Sequence, residues 1–123
     1  MNPNSNSGVR ENIVVSKSFE FALGIIEFCG ELDSMKKFAV SNQLIRSGTS
    51  IGANIREAQG AESKRDFTHK MRISLKEAEE TNYWLSLCNE AIDYPKPNQL
   101  LGKSLELIKI LNAIVHSSKT GKA

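Results

Sequence analysis

Between Phe67 and Ile92, apolar or small residues return at alternating steps of four and three: Phe67, Met71, Ser74, Ala78, Thr81, Leu85, Cys88 and Ile92. Only a helix lines up such a series, and the alternation is that of a seam in a left-handed helical bundle. Ser63, followed three residues later by Asp66, resembles a capping box, in which a hydroxyl accepts from a free backbone amide at the helix start. The expected helix therefore runs from Ser63 to Ile92, about 45 Å at 1.5 Å per residue. A rod of that length in a chain of 123 residues needs neighbours of similar length to cover its apolar side.

Three such neighbours are legible. Val15, Phe19, Ala22, Ile25, Ile26, Cys29 and Leu32 recur at helical spacing and predict a first helix from about Asn12 to Asp33 or Ser34. A second is expected from about Lys36 to Gln59, burying Leu44, Gly48, Ile51, Ile55 and Ala58, with Gly60 as its stop. Asp93-Tyr94-Pro95-Lys96-Pro97-Asn98 interrupts the pattern, because proline lacks an amide donor and disfavours helix in the residue before it. Leu101, Leu105, Ile108, Leu111, Ile114 and Val115 then mark the apolar face of a last helix. Four amphipathic helices with short connections and no strand pattern imply an all-α, antiparallel up-down-up-down four-helix bundle over residues 12–118. The polar residues 1–11 and 119–123 read as flexible tails.

The length suits one domain that buries a core without a metal or disulfide. Cys29 and Cys88 lie inside apolar helical patterns and read as buried thiols in a reducing compartment. There is no secretory signal and no apolar run long enough to span a membrane, so the expected location is the cytoplasm.

Catalytic patterns are absent. A carboxylate-bridged metal site in a bundle needs a Glu from each of two helices and Glu-x-x-His from the other two, whereas this chain offers only His69, with Asp66 three residues before it, and His116, preceded by Ala113. Ser47, Ser50 and Ser74 lie in no strand-turn-helix elbow, and no glycine-rich phosphate loop or Cys-x-x-Cys pair occurs. Gly48-x-x-x-Gly52 shares its helix with Arg46 and Arg56, so it reads as close helix packing in water. The expectation is a protein with no metal, no cofactor and no enzymatic activity.

Charge placement says more. From Leu44 to Lys76 there are seven basic residues, Arg46, Arg56, Lys64, Arg65, Lys70, Arg72 and Lys76, against Glu57, Glu62 and Asp66. From Glu77 to Tyr94 there are five acids and no base, so the bundle should have a basic end and an acidic end. Lys64 and Arg65 fall in the first turn of a helix whose dipole is already positive there, a field that a phosphate or an acidic partner would relieve. The seven cations are therefore candidate nucleic-acid or anion contacts, the plainer reading being a solvated surface with ordinary four-residue pairs such as Asp66 to Lys70. With few aromatics nearby, any nucleic acid would be bound through backbone charge and not through base stacking. Along the second helix, Gln43, Ser47, Ser50, Asn54 and Glu57 form a polar, mostly uncharged stripe, and Ser47, Ser50, Asn54 and Glu57 are candidates for an oligomer interface.

QLIRSGTSIGANIREAQGAESKRDF and KMRISLKEAEETNYWL, in that order and with that gap between Gln43 and Leu85, strongly resemble the bacterial four-helix bundle family encoded in intervening sequences of 23S ribosomal RNA genes. The resemblance implies an antiparallel bundle that assembles into a ring-like homopentamer. It extends to the accessory protein of diversity-generating retroelements, a basic pentameric bundle that partners a reverse transcriptase and nucleic acid. It carries over no catalytic activity. The net charge of +2 is small for such a binder. Two functions remain open: an oligomeric helical scaffold that binds nucleic acid through backbone charge, and a protein-interaction module that meets an acidic protein surface.

Overall fold

The computed structural model describes the backbone of residues 5–119 and the side chains of residues 12–117; the flexibility expected of residues 1–11 and 119–123 falls largely outside the described residues. Four helices follow one another, α1 (Ser5–Ser34), α2 (Phe38–Ala58), α3 (Lys64–Glu90) and α4 (Gln99–Lys119). Each packs against its neighbour in sequence and α1 closes the square against α4, which leaves α1 and α3 on one diagonal and α2 and α4 on the other. The connections over residues 35–37, 59–63 and 91–98 are too short for crossovers, so the topology is up-down-up-down.

α3 is the seam that its spacing predicts. Met71, Ser74, Ala78, Thr81, Leu85 and Cys88 are buried, and Ser63 accepts the Asp66 amide at 3.0 Å as its N-cap. The helix stops at Glu90, however, and Ile92 lies beyond it in the connection, 86% exposed. Lys96 turns back to end the helix, its ammonium donating to the carbonyls of Asn89 and Ala91 at 3.1 and 2.9 Å. A cation there opposes the negative end of the helix dipole and satisfies carbonyls that have no intrahelical donor.

α2 buries Leu44, Gly48, Ile51, Ile55 and Ala58 as expected, together with Ser41 and Ser47. Small residues let the helices approach closely: a Cβ on Gly48 would lie 2.8 Å from a methylene of Ile25, and one on Gly52 would lie 3.3 Å from the Ser18 hydroxyl. Buried hydroxyls cross the α2/α3 contact, where Ser74 donates to the Ile51 carbonyl at 2.8 Å and Thr81 lies 2.9 Å from Ser47. Among the described residues no buried side-chain nitrogen or oxygen lacks a partner.

Two helices differ from the expected pattern. α1 begins at Ser5, ahead of Asn12, and its buried face is Val14, Ser18, Phe21, Ile25, Phe28, Cys29 and Leu32, while Phe19 and Ile26 are about half exposed. Apolar residues occupy most of the circumference of this helix, so spacing alone admits two faces, and contact with both α2 and α4 selects one. On α4 the core takes Ser104, Leu107, Leu111 and Ile114, and Leu105 points outward at 56% exposure.

The turn between α1 and α2 ends α1 with a pair of hydrogen bonds, Lys37 N–H to Leu32 O at 2.8 Å and Lys36 N–H to Asp33 O at 2.9 Å. This is a Schellman motif, and Lys36 sits at its left-handed position with φ 62. Glycine occupies that conformation without the side-chain penalty that lysine carries. Lys36→Gly is therefore expected to raise stability by about 0.5–1 kcal/mol, read as a higher urea midpoint with an unchanged slope.

Candidate nucleic-acid interface

Of the seven cations singled out by the sequence, the fold separates four from the other three. Arg46 on α2 reaches across to α3, where it pairs with Glu77 at 3.3 Å and with Glu80. Lys70 pairs with Glu57 at 2.8 Å, and that hydrogen bond holds its ammonium above the ordinary lysine value. Arg56 lies over the ring of Phe19, 5.8 Å from its centroid. Lys64 opens α3 at the capped turn.

Arg65, Arg72 and Lys76 are exposed and make no ion pair among the described residues. With His69 they recur at steps of four, three and four along the face of α3 that points away from the other helices. The stripe is about 17 Å long at 1.5 Å per residue. No large apolar side chain is exposed within it; Tyr83 is the first one beyond. His69 is a member that charge counting misses, although its helical phase could have placed it. The basic end foreseen in the sequence is thus a line along one helix, starting where the α3 dipole is positive.

The polar stripe on α2 has mixed positions. Ser47 is fully buried against Thr81, so it holds α2 to α3 and is closed to a second copy. Ser50 donates to the Arg46 carbonyl at 2.7 Å and Asn54 to the Ser50 carbonyl at 2.9 Å, both within their own helix. Glu57 is exposed and engaged with Lys70.

Cys29 and Cys88 are free and buried. Burial pushes the Cys29 thiol up and raises Cys88 to about 11, so neither is a thiolate nucleophile at neutral pH. Among the described residues no three His, Cys, Asp or Glu side chains gather as metal ligands would. No helix there is long and apolar enough to cross a membrane.

A family model described as 23S rRNA-intervening sequence protein matches residues 10–113. A crystal structure of a protein of unknown function from the S23 ribosomal protein family of Bacteroides thetaiotaomicron is 43% identical to this chain, over 87% of this chain and 98% of that one, with a TM-score of 0.81. No curated protein matches.

Proposed function

Because the chain belongs to the 23S rRNA-intervening sequence protein family, we propose that it is a non-enzymatic, homo-oligomeric helical scaffold that binds nucleic acid through phosphate charge. The observation that carries the nucleic-acid part is the unpaired line of Arg65, Arg72 and Lys76 on the outward face of α3. Cations already paired with acids, as Arg46 and Lys70 are, gain little from a phosphate, whereas exposed cations without acidic partners release counterions on binding a polyanion. Protein interfaces draw their affinity from buried aromatic or aliphatic anchors, and the line contains none. That difference favours a phosphate backbone over an acidic protein surface.

Binding of this kind reads charge and shape and has little sequence preference. The unpaired buried thiols suit a reducing, cytoplasmic setting. The oligomeric part follows the ring-like assembly that the family resemblance implies. Titration of labelled RNA and DNA with the full chain at several salt concentrations tests the reading. Binding at low salt that weakens steeply as salt rises supports it, and no binding at any salt removes the nucleic-acid part.

A further inference from the structure

The outward face of α3 does not end with its cations. Past Lys76 it continues through Glu79, Tyr83, Leu87 and Glu90 at steps of three and four, so one helix face is basic in its first half and acidic and apolar in its second. Tyr83 and Leu87 are 58% and 40% exposed. The Tyr83 ring is held by an edge-on contact with Trp84, centroids 5.4 Å apart, and the Trp84 indole N–H is itself fixed by donating to Glu80 at 3.0 Å. Glu79 and Glu90 are exposed and make no ion pair among the described residues. Lys96, the cation that follows them in the chain, is committed to the backbone carbonyls that end α3.

The two halves match each other about the midpoint between Glu77 and Ala78. Arg65, Arg72 and Lys76 lie as far before that point as Glu90, Tyr83 and Glu79 lie after it. A second α3 laid antiparallel on the first, related by a two-fold axis through the midpoint, therefore sets Arg65 against Glu90, Arg72 against Tyr83 and Lys76 against Glu79. Each of these pairings occurs twice. Two are ion pairs, and the third is a guanidinium over an aromatic ring, an arrangement that arginine favours. A parallel copy would set cation against cation and acid against acid.

We infer that the outward face of α3 is a two-fold docking surface for a second copy of this chain, in which the acidic half of each α3 covers the cationic line of the other. The register identifies the occupant: an unrelated basic protein would suit the acidic half but would leave its match to the cationic half unexplained. Tyr83 and Leu87 supply the anchors that the cationic line lacks. A contact one helix wide falls at the low end of interface sizes, and its ion pairs lie at the surface, so the pairing is weak, reversible and sensitive to salt. Because the contact is isologous, each α3 takes one partner. While it is paired its cationic line is covered, and nucleic acid must displace the second copy to reach it. That competition rests on the nucleic-acid reading above; the contact itself does not.

Light scattering of the full chain across a concentration series, without nucleic acid, tests the contact. At low salt the particle mass of wild type should rise with concentration, and high salt should return it to its starting value. Glu79→Lys with Glu90→Arg makes the face cationic throughout, whereas Arg65→Glu with Lys76→Glu makes it acidic at both ends. All four positions are exposed, so both variants should keep the helical circular dichroism and urea midpoint of wild type. Each variant alone sets like charges opposite one another and should need a concentration about tenfold higher for the rise in mass. An equimolar mixture of the two should show the rise at or below the wild-type concentration. A wild-type mass that stays constant at low salt, a variant that associates as readily as wild type, or a mixture that keeps the mass of its components overturns the α3 contact and leaves phosphate binding by the cationic line standing. A chain that pairs as described but binds neither RNA nor DNA supports the contact and removes the nucleic-acid reading alone.

Discussion

Gly48→Val is expected to destabilise the bundle by about 3 kcal/mol, the upper end of what overpacking a core costs. Replacing glycine in a helix interior ordinarily stabilises, since alanine is better there by about 1 kcal/mol. At this position the α1/α2 contact reverses the sign. A Cβ would meet two carbons of the Ile25 side chain at 2.8 and 2.9 Å, and Ile25 is fully buried. Valine adds two further methyl groups in the same place. Ile25→Ala alone should cost about 3 kcal/mol by leaving a cavity. The double variant should cost at least 1 kcal/mol less than the sum, because valine fills the space that isoleucine vacates. Urea unfolding of the four proteins reads the coupling, and a Gly48→Val protein as stable as wild type would show that the helices do not approach this closely.

The second large effect concerns binding. Changing Arg65, Arg72 and Lys76 together to glutamine should leave the fold intact, since all three are exposed and unpaired. Three phosphate contacts per copy imply a log-log salt slope of about 2–3, which for duplex DNA corresponds to a loss of about 40-fold in affinity between 50 and 200 mM salt. The triple variant should lose that salt-dependent part. Assembly multiplies the effect, because several lines on one particle engage one strand at high effective concentration. Lys70→Gln is the control: its ammonium already serves Glu57, so a much smaller change in binding is expected.

Helix number, order and topology were legible in the sequence because the α3 seam is strict and its length dictates that of its neighbours. Gly48 and Gly52 were legible as close-packing positions for the same reason, since they share a face with Leu44, Ile51 and Ile55. The face of α1 was not. Phe19 and Ile26 fit the helical period as well as Phe21 and Phe28 do, and a helix apolar on two sides does not reveal which side its own bundle covers. Leu105 and Leu107 pose the same ambiguity on α4.

The candidate site was legible in composition but not in pairing. Arg46 is 31 and 34 residues from the carboxylates it meets, and no local rule reveals that it is neutralised. Ser47 looked like an available polar group because its partner Thr81 lies a helix away. The unpaired line on α3 emerges only after those cross-helix partners are subtracted.

The account stands most directly on the salt dependence of nucleic-acid binding by the full chain. Labelled RNA and DNA titrated between about 20 and 300 mM salt should give affinities that fall linearly in a log-log plot, at about 0.7–0.9 per phosphate contact. The slope should flatten in the Arg65, Arg72 and Lys76 variant. No binding at the lowest salt, or binding that the triple variant leaves unchanged, would contradict it.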